Sequence, residues 1–173
     1  MAVNRETDWK WALTSEDEWY KAAYHKNDGN TGNYWDYPTS TNSLPSNDLT
    51  TPDGGNNANF YYSGETIGEP YHRTEVGEFE NSDSPYGTFD QGGNVWEWNE
   101  AMLSGSIRGA RGGAFNAYYG YLLASFRHNS SPYFPFYEDQ YVGFRVVEVP
   151  EPATLALLAL GGVALARRRR ARG

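Results

Sequence analysis

From Asn27 to about Arg73 the chain runs through Gly, Asn, Ser, Thr and Tyr with no sustained apolar period, helical or strand-like. By composition this is loop. A structureless stretch of about 45 residues is uncommon inside a compact domain unless something orders it. A bound cation would serve, and Asp48, Asp53, Asn56, Asn57, Asn59, Glu65 and Glu69 offer oxygen ligands. The plainer reading of each of these residues is a solvated turn position.

The rest of the composition points the same way. Ile, Leu and Val are thin outside the last twenty-five residues, whereas Tyr is 14, Trp 6 and Gly 19 of 173. The core of such a chain is built from rings, whose polar tips need partners. An irregular, loop-rich α+β domain is therefore expected rather than a helical bundle or a doubly wound sheet.

Charge narrows the partners. Five of the 14 basic residues lie in the tail, with one of the 22 acids, leaving residues 1–149 with 9 basic and 21 acidic side chains. A surface that acidic repels phosphate backbones, so no nucleic acid is expected; a cation-binding module outside the cell suits it better. Cysteine is absent, which removes disulfides, zinc-thiolate sites and thiol catalysis.

The C-terminus reads Pro150-Glu151-Pro152, an apolar run Ala153–Ala166, then Arg167–Arg170. The run is shorter than the roughly 20 residues a straight membrane-crossing helix needs, and the arginines favour the cytoplasmic side. This order of parts resembles the PEP-CTERM sorting signal, whose tail is processed by an exosortase-type enzyme. It implies a protein exported to the cell envelope or beyond, held transiently in the membrane by an apolar C-terminal helix. The start "MAVNRETDWKWA" has no apolar run of a secretory signal, so an upstream portion is expected to be missing.

Along the chain, Thr14 or Ser15 caps a predicted helix, with Asp17 or Glu18 closing a capping box. Trp19, Ala22 and Ala23 form its apolar face, and Lys21, His25 and Lys26 come late, as the dipole prefers. Tyr141–Val149 reads as one strand, with Val142, Phe144 and Val146 alternating against Gly143, Arg145 and Val147. "YLLASFRH" is expected to be extended. In "YGTFDQGGNVWEWNEA", Gly92-Gly93 argue against a helix, and Glu97 between Trp96 and Trp98 argues against an ordinary strand.

Four segments, "LTSEDEWYKAAYH", "SPYGTFDQGGNVWEWNEA", "RGARGGAF" and "YVGFRVV", stand in an order and spacing that resemble the formylglycine-generating enzyme, or sulfatase-modifying factor, family. The resemblance runs from about Leu13 to Val147. It implies a C-type lectin-like fold over 1–148, with the N-terminal part of the domain missing, followed by the sorting segment 149–173. It also implies structural calcium. One ion is expected at Asp90, the carbonyls of Gly93 and Val95, and Glu97; a second at Asn59, the carbonyl of Phe60, and Glu69. Mixed carboxylate and carbonyl oxygens suit calcium, although Glu97 paired with an arginine such as Arg111 is the alternative.

The founding members of the family bind copper through two cysteines. Their positions fall at Ala117 and near Leu122, so no copper is expected; Cu(I) requires soft thiolate. A branch using three histidines on iron is not matched by the scattered His25, His72 and His128. Tyr118, Tyr119, Tyr121 and Arg127 line the old cleft or pack the aromatic core. Three functions remain open: a non-catalytic, calcium-stabilised binding or structural domain; an oxidoreductase whose metal ligands come from upstream sequence; and a lectin-like module for an unknown surface ligand.

Overall fold

The computed structural model describes residues 5–6, 8–104, 107–128 and 139–149. Two compact units emerge, one from Leu13 to Arg145 and one that, among the described residues, joins those between 5 and 12 to residues 146–149. In the latter, Val149 N donates to Lys10 O at 2.9 Å, continuing a two-stranded sheet of β1 (Trp11–Leu13) and β5 (Val146–Glu148).

The larger unit carries the helix α1 (Glu16–Tyr24), capped as the sequence predicts. The Ser15 hydroxyl accepts from Glu18 N, and the Glu18 carboxylate accepts from Ser15 N at 2.8 Å. The buried face is Trp19, Ala23 and Tyr24, with Ala22 only half-buried. Tyr24 earns its burial by donating its hydroxyl to Leu122 O at 2.9 Å, as a fully buried phenol requires.

The central sheet has the order β3-β2-β4, built from β2 (Trp96–Ser104), β3 (Ile107–Arg111) and β4 (Val142–Phe144). β3 runs antiparallel to β2 with Glu97 opposite Arg111, and β4 runs parallel with Trp96 opposite Val142. Two expectations change here. Trp96-Glu97-Trp98 is a strand after all, because β2 is the middle strand and is covered on both faces: Trp96 is 7 % and Glu97 5 % exposed. And Tyr141–Val149 is two strands in different sheets, interrupted at Arg145, with Phe144 and Val146 exposed. "YLLASFRH" is not extended at its start; Tyr119–Leu122 is a 3-10 helix.

The long loop is ordered largely by one buried carboxylate. Asp53, 4 % exposed, accepts from Gly55 N at 3.0 Å and the Asn57 side-chain amide on Oδ1. On Oδ2 it accepts from Asn81 N at 3.0 Å and the Ser82 hydroxyl at 2.7 Å. Burial alone would raise its pKa, but the Ser82, Asn57, Gly55 and Asn81 donors outweigh that and hold it below the usual carboxylate value. Asp53 thus pins the 53–57 turn to the 79–82 turn. The isolated bridge Ser46–Asn57 closes the loop on itself, and Asn59–Gly93 and Tyr61–Tyr118 tie it to the rest of the domain.

Candidate functional site

The turn before β2 is formed by left-handed residues: Asp90 at φ 57°, Gly93 at 78° and Asn94 at 61°. At Gly93 any side chain would run into the backbone of Asn59, so the close approach of the two segments requires glycine. Gly93 N donates to Gly112 O and Asn94 N to Asn59 O, both at 2.7 Å. These bonds bring the Asn59, Gly93 and Gly112 segments together.

Glu97 projects from β2 into the interior. Its Oε2 accepts from Trp19 Nε1 and from Arg145 Nε, each at 2.6 Å. The partner arginine is therefore Arg145, not Arg111, and Arg145 also donates to Phe89 O. Asp90, beside it, accepts from Gly77 N at 2.7 Å. Burial raises the pKa of Glu97 against the pull of Arg145 and Trp19, and raises that of Asp90 against Gly77 N–H and Arg145. Of the two carboxylates, Arg145 is in contact with Glu97 alone, and it reaches Asp90 only through its charge. Val95 is half-buried against Gly143.

Arg111 is committed elsewhere. Its Nε pairs with Glu16, and its Nη1 donates to Ala124 O at 3.2 Å and to Phe126 O. Arg127 Nε reaches the same Glu16 at 3.3 Å, and Asn99 Nδ2 donates to it at 2.7 Å. The first residue of α1 is thereby locked to β3 and to the chain beyond it.

Asn59 is 1 % exposed. Its amide Nδ2 donates to His72 O at 2.9 Å and to Asn94 Oδ1 at 3.2 Å. Its Oδ1 is buried with no hydrogen-bond partner among the described residues, as is Thr74 Oγ1. Thr74 O accepts from the same Asn94 side chain at 3.3 Å. A buried amide oxygen left without a donor costs about 1–3 kcal/mol, so Asn59 Oδ1 calls for a donor or a cation. Phe60, fully buried, directs its carbonyl to Asn47 Nδ2 at 3.2 Å. Glu69 is exposed three residues before His72.

The other candidate side chains in the loop have internal partners: Asp48 accepts from Ser46, Asn56 Oδ1 accepts from Thr39 while its Nδ2 donates to Leu44 O, Asn57 Nδ2 donates to Asp53, and Glu65 pairs with His72. Among the described residues no three His, Asp or Glu side chains gather where they could hold an ion.

The three histidines serve separate structural roles. His25 ends α1 and bonds Tyr86 and Asn30 O, His72 stacks on Phe115, and His128 lies edge-on to Trp96 at 4.7 Å. Where the resemblance sets the copper ligands, Ala117 is 7 % exposed, and Leu122, near the second position and fully buried, packs with Tyr37, Ala58 and Phe60. Hydrocarbon occupies both places.

The Sulfatase-modifying factor enzyme 1-like domain family matches residues 3–150. The chain belongs to this family. The PEP-CTERM protein-sorting motif matches residues 148–170, so this family member carries a sorting signal of exported proteins; Pro150 and the tail beyond it lie outside the described residues. Among solved structures, the crystal structure of CarF is similar with a TM-score of 0.52 and 24 % identity, over 81 % of this chain and 48 % of that one. Treponema denticola variable protein 1 aligns over 84 % of this chain and 50 % of its own, at 22 % identity and a TM-score of 0.46. The chain thus spans about half the length of these solved proteins, and the likeness to CarF bears on the fold, an irregular α+β architecture of the C-type lectin-like kind. No curated protein matches the chain. Among the described residues no helix is long and apolar enough to cross a membrane.

Proposed function

We propose that this sulfatase-modifying factor domain is a non-catalytic, calcium-stabilised module of an exported envelope protein, with a binding or structural role. The observation that carries the reading is the hydrocarbon at Ala117 and Leu122, in a chain with Cys 0. Copper chemistry of the thiolate kind has no ligands there. Calcium is supported by the orphaned oxygen of Asn59, and by Asp90 being half-buried with no ion-pair contact of its own among the described residues. Asn59, Phe60 O and Glu69 would hold one ion, and Asp90, Gly93 O, Val95 O and Glu97 the other. Each would fix loop segments that carry little regular structure. The sorting motif at 148–170 supports export, transient membrane anchoring and processing of the tail by an exosortase-type enzyme.

The test is metal analysis of the purified full chain together with thermal melts in calcium and in excess chelator. Calcium without copper, and a midpoint raised by calcium, are the expected results. At a hundredfold excess over the dissociation constant the linkage amounts to about 2.7 kcal/mol per site. Stoichiometric copper or iron would overturn the non-catalytic reading, and a melt indifferent to chelator would remove calcium from it.

A further inference from the structure

Beside the position of Ala117 the surface carries a set of tyrosines that the fold does not consume. Tyr61 N donates to Ala117 O at 2.9 Å, and Tyr61 bridges Tyr118 in parallel fashion. This registers two consecutive pairs of rings. Tyr61 meets Tyr118 edge-to-face at 5.3 Å, and Tyr62 meets Tyr119 edge-to-face at 6.4 Å. Three of the four remain open: Tyr62 is 46 %, Tyr118 59 % and Tyr119 43 % exposed. The two backbones under them are held independently, by Asn47 Nδ2 donating to Phe60 O and Gly64 O and by the 3-10 helix Tyr119–Leu122. Exposed rings that are already ordered present large contact area with little entropy left to lose on binding.

The charge around them is one-sided. Residues 27–72, which contain Tyr61 and Tyr62, include six acids and no lysine or arginine, and residues 112–126, which contain Tyr118 and Tyr119, have no charged side chain. Asp36, exposed, precedes the buried Tyr37, and Glu65, three residues after Tyr62, is paired with His72. Exposed ring faces attract ammonium and guanidinium groups, and the segments that carry these rings supply acids but no lysine or arginine to compete for them. The Asn47 amide is committed to the loop backbone and offers no donor to the hydroxyls of a neutral sugar. The open form, a platform rather than an enclosed cage, suits an extended chain.

We propose that the Tyr61–Tyr118 and Tyr62–Tyr119 pairs form a docking platform for a lysine- or arginine-rich segment of another protein. This deepens, and rests on, the reading of the domain as a binding module. It gives the acidic balance of the domain a use at the place where the family's copper ligands have been replaced.

The experiment titrates the full chain with a decalysine peptide by calorimetry, beside decaglutamate and a neutral glucan oligosaccharide. Decalysine alone is expected to bind. The double variant Tyr62→Ala/Tyr119→Ala is expected to weaken it about tenfold, whereas Tyr62→Phe/Tyr119→Phe stays within about twofold, since the ring face and not the hydroxyl carries the contact. A thermal melt of each variant checks that the fold is kept. No decalysine binding by the parent chain overturns the proposal. So does unchanged affinity in the alanine variant, which would mean charge alone, and so does binding of the oligosaccharide with loss in the phenylalanine variant. Calcium-dependent melting on the same samples tests the parent reading separately, because these tyrosines supply none of its ligands.

Discussion

The substitution Asp53→Asn isolates what one carboxylate does for the long loop. Asn has the same shape, so packing around this 4 % exposed side chain is preserved. What changes is that one acceptor oxygen becomes an NH2. Whichever way the amide turns, two of the four donors, Gly55 N and Asn57 Nδ2 on one side or Asn81 N and Ser82 Oγ on the other, then face a donor. Hydrogen bonds to a charged acceptor contribute about 1.5–3 kcal/mol each, and the stranded donors are buried. A loss of about 3–5 kcal/mol is expected, a large part of the 5–15 kcal/mol by which domains are stable. For a domain of this size it lowers the melting midpoint by roughly 6–20 °C. Urea unfolding followed by tryptophan fluorescence measures it, and hydrogen exchange should show faster opening at residues 53–57 and 79–82. The sign with pH is also fixed. A carboxylate whose folded pKa lies below its unfolded value of 3.8 contributes stability above that value, lost as pH falls through the folded pKa. Wild type should therefore lose this contribution in acid while Asp53→Asn does not. A loss under about 1 kcal/mol, or one that appears only when calcium is removed, would refute the argument that Asp53 itself orders the loop.

Three further outcomes follow from the geometry. Gly93→Ala places a methyl group in the Asn59 backbone at φ 78° and should cost more than about 3 kcal/mol or prevent folding, read by circular dichroism and solubility. Arg145→Met leaves Glu97 buried with only Trp19 as a donor; the usual 3–5 kcal/mol for a stranded buried charge is reduced to about 2–3 because the arginine is 26 % exposed, and urea midpoints measure it. Burial lowers the pKa of His128 below 6.5, so its contribution is present above that value and lost as pH falls through the folded pKa; His128→Phe should flatten the stability profile below pH 6.5.

The parts of the fold that were legible in the sequence are those specified by neighbours. The Ser15–Glu18 capping box and the Trp19–Ala23 face lie within one helix, and the sorting motif is a local string. β2 was not legible, because Glu97 is tolerated in a covered strand only through Trp19 and Arg145, which lie 78 and 48 positions away. No local pattern announces either partner. Asp53 looked like any turn aspartate, since its donors at Asn81 and Ser82 arrive from 28 and 29 residues on. The break at Arg145 was hidden for the same reason: alternation continues through it in the sequence while its side chain turns inward to Glu97. The Asn59 segment was reached through family resemblance, and its unpartnered oxygen is visible only once its neighbours are placed.

That reliance on distant partners has a consequence in time. Trp19 and Glu97 cannot meet until most of the domain has been made, and the parallel partner of β2, together with Arg145, is among its last residues. Loops this long must close before their contacts reward the closure, and topologies dominated by such contacts fold slowly. A ribosome adding roughly 5–20 residues per second releases the aromatic half of the core well before its counter-charge. For those seconds Glu97 has no counter-charge and the domain cannot complete its fold, which suits a chain that carries a sorting signal of exported proteins.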